Sequence, residues 1–142
     1  MRQGFSLLET VLVLAVMGLL CGLALPHLAG VLDTVSVDAA ANHLVAAHQR
    51  ARLMAVARSQ VTVLTVDADR LSIRHRGEDT VLWSENGPSA QGVDLAGSVT
   101  RQLTFSPEGF TLGLSNATLD LSRGRAHRRV VVSRVGRVRI LR

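Results

Sequence analysis

From Phe5 to Leu25 the chain runs for 21 residues with a single charged side chain, Glu9, and no further acid or arginine follows until Asp33. At about 1.5 Å per residue a helix of that length crosses the roughly 30 Å hydrocarbon core of a bilayer. A spanning segment has to satisfy its own backbone, and this predicts a helix despite Val11, Val13 and Val16. Pro26 then falls at the membrane edge, where a kink or an interruption of the helix is expected. An ordinary secretory signal competes with this reading, with Arg2 as a minimal charged leader. Its small-x-small exit is missing from Leu23-Ala24-Leu25-Pro26-His27, and Glu9 would sit inside its apolar core. A lipoprotein reading of Cys21 has Leu20 where a small residue belongs.

Holding a carboxylate in hydrocarbon costs about 2.5 to 3.5 kcal/mol even on lenient scales, so Glu9 calls for an explanation. Two are open: it meets a positive partner, or it snorkels to the headgroups. The string Gly4-Phe5-Ser6-Leu7-Leu8-Glu9 ahead of a spanning helix resembles the class III signal of type IV pilins and type II secretion pseudopilins. The resemblance implies cutting after Gly4 by a prepilin peptidase and methylation of the new amino terminus at Phe5. It also implies that Glu9 pairs with the cationic terminus of a neighbouring subunit during assembly, turning a costly charge into a neutral pair. Pro26 stands where many pilins have a helix-bending proline.

About 110 residues follow the apolar run, room for one small domain. The lone cysteine, Cys21, lies inside the run, so no intrachain disulfide can staple that domain. All 16 basic residues are arginine, and eight of them, from Arg123 to Arg142, crowd the last 20 positions with no acid among them. The rest of the chain carries eight arginines against 11 acids. This asymmetry suits nucleic acid, acidic lipid or an acidic neighbouring subunit, and does not choose among them.

Beyond Pro26, apolar residues recur at three and four through Leu28, Val31, Leu32, Val35, Leu44 and Met54, and the alanine-rich stretch 38–57 favours helix to about Arg58. The period then changes. Val61–Val66 and Leu71–Arg76 flank a turn-like Asp67-Ala68-Asp69-Arg70 and predict a hairpin, with Val81–Trp83 as a third strand. Residues 85–97 contain Asn86-Gly87-Pro88 and read as an exposed loop. Arg101–Phe105 and Phe110–Leu114 flank Ser106-Pro107-Glu108-Gly109, which suits a type I turn. Thr118–Leu121, Arg129–Ser133 and Arg137–Leu141 complete the strands. Helix first and strands after predict an α+β chain with one helix across an antiparallel sheet.

In the second half, 103–109 (Leu-Thr-Phe-Ser-Pro-Glu-Gly) and 129–139 (Arg-Val-Val-Val-Ser-Arg-Val-Gly-Arg-Val-Arg) resemble the GspH/FimT family of minor pseudopilins and minor pilins. The implied architecture is pilin-like: leader 1–4, transmembrane helix 5–25, amphipathic continuation 26–59 and β-rich periplasmic head 60–142. The implied partners are the prepilin peptidase, the inner membrane, other minor subunits and the major subunit of a pseudopilus or pilus, with a place near the tip. Some FimT-like members bind DNA through Gly-Arg-x-Arg, which here is Gly136-Arg137-Val138-Arg139. Two residues apart on a strand, Arg137 and Arg139 face one way, and Arg134, Arg142 and Arg128 extend the patch. The same arginines also read as a solvated strand face or as salt bridges to the next subunit. With so few aromatics, DNA contact would depend on phosphate charge.

Neither an enzyme nor a cofactor is predicted. His27, His43, His48, His75 and His127 are dispersed, and no nucleophile motif or phosphate-cradling loop occurs. One cysteine and scattered histidines do not make a zinc site. Asp67 and Asp69 lack the other oxygens of a calcium loop and read as turn formers.

Overall fold

The computed structural model describes residues 6–97, 100–113, 117–133 and 135–142. Gly4, Phe5 and Arg134, all singled out by the sequence, lie outside them, as does Leu114. The chain divides into two compact units, residues 1–32 and 33–142. A single helix, α1 (Leu7–Arg58), runs through both. It opens on Ser6, whose carbonyl accepts from the Glu9 and Thr10 amides at 3.0 and 3.2 Å. Glu9 thus sits in the first turn, where the helix dipole favours an acid.

Among the described residues one helix is long and apolar enough to cross a membrane, and its apolar window is unburied. Leu7, Leu8, Leu14, Leu19 and Leu23 are all more than 60% exposed. The helix continues through position 26, so of the two effects expected of Pro26 the interruption does not occur.

The helix stops where the sequence pattern predicts. Ser59 takes a left-handed φ of 51°, its amide bonds the Val56 carbonyl at 3.2 Å, and the Gln60 amide bonds the Ala55 carbonyl at 3.1 Å. This crossed pair is a Schellman ending built on serine in place of glycine.

Among the described residues nine strands follow, all antiparallel: β1 (Thr62–Val66), β2 (Arg70–His75), β3 (Val81–Asn86), β4 (Asp94–Leu95), β5 (Arg101–Phe105), β6 (Thr111–Leu112), β7 (Ala117–Arg123), β8 (Ala126–Val132) and β9 (Val138–Leu141). Among the described residues the expected antiparallel sheet is divided in two, in the orders β3-β2-β1-β5-β6 and β4-β7-β8-β9. The segment 85–97 makes the difference. Read from sequence as an exposed loop, it finishes β3, turns through a 3-10 helix (Pro88–Gln91) and places β4 on the edge of the second sheet. Val93 and Leu95 are buried there.

Alternation along the strands sends one side of both sheets toward α1. The helix contributes Val37, Leu44 and five alanines (40, 41, 47, 51 and 55), whose small side chains let the strands come close. Leu64, Leu71, Ile73 and Phe105 from the first sheet and Leu119, Leu121, Val130 and Val132 from the second fill the space. Each large apolar side chain so enclosed contributes about 1.5 to 3 kcal/mol. Thr62, fully buried on β1, donates its hydroxyl to the Ala51 carbonyl at 2.9 Å, so the strand start is tied to the helix.

Candidate functional site

The arginine-rich terminus folds as the β7-β8-β9 meander. Register pairs Val132 with Val138, Val131 with Arg139 and Val130 with Ile140. Val130 and Val132 are buried toward α1, and so Arg137 and Arg139 share the opposite face with Val131. Both are exposed; the two-residue spacing predicted the shared face, and β9 begins at Val138, one residue later than the predicted strand. The turn that carries them is closed by the Ser133 amide to the Arg137 carbonyl at 2.8 Å and the Arg137 amide to Ser133 Oγ at 3.1 Å. Gly136 adopts φ 75° in that turn, which explains glycine at this place in the motif without any contact to a ligand.

The other terminal arginines are divided by their partners. Arg123 bonds Asp33 at 3.0 Å, Ser36 Oγ at 3.0 Å and the Gln91 carbonyl at 2.6 Å, joining β7, the helix and the 3-10 turn. Arg128 is taken by Asp38 and is largely enclosed, which removes it from the surface patch to which the sequence assigned it. Arg129 grips Asp120 on the neighbouring strand with Nε at 2.5 Å, and that carboxylate holds the guanidinium pKa above its ordinary value. Among the described residues no carboxylate pairs with Arg125, Arg137, Arg139 or Arg142. Of the seven terminal arginines among the described residues, three are therefore held by aspartates and four are not.

A second surface lies along the helix beside β3. Trp83, Met54, Ala46, Gln49 and Leu53 line a groove of ≈ 740 Å³. His43 contacts Glu85 directly at one wall, and the Arg50 guanidinium lies over the Trp83 ring at 4.9 Å from its centre. Nothing in the linear sequence pointed to this groove, because Trp83 and the helix meet only through the register of β3 on β2. No group of three metal-ligating side chains occurs among the described residues.

The family model described as type II transport protein GspH matches residues 40–136, from mid-helix to the β8-β9 turn. The chain belongs to the GspH family. This GspH-family chain is 32% identical over 155 residues to the pilin-like protein PilA1 of Thermus thermophilus, a match covering 98% of each. Its fold is similar to that of the type IV minor pilin FimU of Pseudomonas aeruginosa. In one crystal form the TM-score is 0.62 at 23% identity, covering 75% of this chain and 88% of FimU. In another it is 0.58 at 22%, covering 74% and 92%. The GspH-family chain thus has a pilin-like fold, with a long amino-terminal helix packed on antiparallel sheets. Its apolar amino-terminal helix is consistent with a membrane anchor.

Proposed function

We propose that this chain is an inner-membrane precursor with its head in the periplasm, trimmed after Gly4 by a prepilin peptidase, methylated at Phe5 and built into a pseudopilus or pilus near the tip. The observation that carries this reading is the unburied apolar half of α1, which needs lipid first and sister helices afterwards. Glu9, the single charged residue of that apolar half, supplies a group able to pair with a cationic amino terminus. A bend at Pro26 would set the angle at which the helix leaves the membrane. Mass spectrometry of the mature chain should find methyl-phenylalanine first, and Glu9→Ala should still be trimmed yet fail to enter filaments. An uncut amino terminus, or normal incorporation of Glu9→Ala, would reject the reading.

A second reading, DNA binding in uptake, is favoured by one feature: Arg137 and Arg139 share an exposed face and pair with no carboxylate among the described residues. A mobility shift of duplex DNA by the detergent-solubilised chain at low salt tests it. No shift at any protein concentration that leaves the chain soluble would reject it.

A further inference from the structure

Where the β8-β9 turn meets α1, Gln49, Arg52, Val135, Gly136, Arg137 and Val138 line a recess of ≈ 350 Å³, and no acid is among them. A Cβ added to Gly136 would lie 3.9 Å from the Gly109 carbonyl oxygen, and one added to Gly109 would stand 3.2 Å from Arg52 Nε. The β5-β6 and β8-β9 turns therefore close on each other beside the Arg52 side chain. Arg52 is half-buried, and neither it nor Arg137 forms an ion pair among the described residues. Glu108, next to Gly109 in the adjoining turn, is hydrogen-bonded by Ser106 instead. Two guanidinia and one amide thus border a single recess without a carboxylate. Arg137 also borders a second recess, of ≈ 430 Å³, in which Arg139 takes part. The positive charge of the exposed face beside β9 therefore continues round the turn onto the helix.

We infer that Arg52, with Gln49, completes the hold on a phosphodiester group that Arg137 brings into the recess, so that the nucleic-acid contact extends from β9 onto α1. The inference rests on the DNA-binding reading above. Its ligand class follows from the donors: the two free oxygens of a phosphodiester accept from two guanidinia and an amide at once. A repeating anion also suits two recesses that share one arginine, whereas a single acid of a neighbouring subunit would occupy one of them. Lipid headgroups fit less well, because Arg52 stands in the last two turns of α1, at the end opposite the apolar run. Arg52 shares its phosphate with Arg137, so it adds affinity without adding a phosphate to the contact.

The test is fluorescence anisotropy of a labelled DNA duplex with the detergent-solubilised full chain at about 50 mM salt. Arg52→Gln should weaken binding about fivefold to tenfold, the effect of a charge-assisted hydrogen bond discounted for partial exposure. In an Arg137→Ala background the same change should add less than about twofold, since partners on one phosphate are not additive. The slope of log K against log salt should move by less than about one, because it counts phosphates and not arginines. Gln49→Glu, at an exposed position that the fold tolerates, puts a carboxylate into the recess and should weaken binding by a similar factor. Arg76→Gln, at an exposed arginine just past β2, should stay within about twofold of the parent. Unchanged binding by Arg52→Gln, a fully additive loss with Arg137→Ala, or indifference to Gln49→Glu would overturn the inference and leave the DNA reading standing. Equal, Arg52-dependent affinity for poly-glutamate would overturn it too, by giving the recess to an acidic protein partner. A parent chain that binds no duplex would take down the DNA reading and this inference with it.

Discussion

Arg128 on β8 holds Asp38 on α1 through two nitrogens, Nε to Oδ1 at 2.5 Å and Nη2 to Oδ2 at 3.1 Å, while its Nη1 donates to the His127 carbonyl at 2.8 Å. The arginine occupies an inward position of the second sheet, in register with Leu121 and two pairs along from Val130. A cation there is bound to the head's own packing.

Replacing Asp38 with Asn leaves that guanidinium enclosed without its counter-charge. The arginine side chain is 13% exposed and the aspartate 43%, so the loss is discounted from the value for a fully buried pair to about 1 to 3 kcal/mol. Urea denaturation should show a lower midpoint at unchanged slope. Arg125→Ala, on an exposed arginine with no carboxylate partner among the described residues, should leave the midpoint within about 0.5 kcal/mol of the parent. Equal effects of the two substitutions would mean that the Asp38–Arg128 pair holds the head together no more than an unpaired surface arginine does.

His48 gives the head an acid weakness. The residue is 2% exposed, its ring meets Phe105 edge-on at 4.9 Å, and neither ring nitrogen has a hydrogen-bond partner among the described residues. Burial, with a smaller push from Arg52, lowers its pKa from 6.5 to about 4. The unfolded chain therefore binds the proton first, and stability falls as pH drops from about 6.5 toward 4, by an amount on the order of 2 to 3 kcal/mol. His48→Leu, which also removes two unsatisfied nitrogens, should flatten that part of a Tm-against-pH curve. An unchanged slope in the variant would assign the acid sensitivity to the carboxylate pairs instead.

Gly87 is a site where space alone demands glycine. Its φ of −80° is open to any residue, yet an added Cβ would lie 2.2 Å from the Ala68 carbonyl oxygen and 2.6 Å from the Arg70 nitrogen. Both obstacles are backbone. Gly87→Ala should cost more than about 2 kcal/mol, by analogy with other overpacked sites, and should lower the thermal midpoint further than Gly77→Ala, where nothing lies within 4 Å and only a φ of 87° resists. The reverse order would mean that the β1-β2 turn moves aside freely.

Local signals carried most of this fold. Alanine-rich 38–57 fixed the helix to Arg58, and Ser106-Pro107-Glu108-Gly109 closed its turn with the Gly109 amide on the Ser106 carbonyl at 2.9 Å. Both depend on residues close in sequence, where propensity is informative. Val93 and Leu95 were hidden by the Gly and Pro around them, because punctuation marks a change of direction and not its exposure. The two-sheet division depends on a four-residue turn and a two-residue strand, too short for any period to register. At the candidate site the shared face of Arg137 and Arg139 was legible from spacing alone. The fate of Arg123 and Arg128 was not, since their acids lie 90 residues back in the chain.

That division of the arginines sets the size of any DNA response. With Arg123, Arg128 and Arg129 held by aspartates, the described terminal arginines left for phosphate are Arg125, Arg137, Arg139 and Arg142. If all four contact phosphates, the slope of log K against log salt is about −3.6, and affinity falls on the order of a hundredfold between 50 and 200 mM salt. Arg137→Ala with Arg139→Ala should bring the slope to about −1.8 and weaken all duplex sequences alike, because two cations on one exposed face read charge and not base edges. Arg128→Ala should reduce stability but leave the slope untouched in the folded fraction. A parent slope near −7, or a slope unmoved by the double replacement, would place the DNA contact elsewhere on the chain.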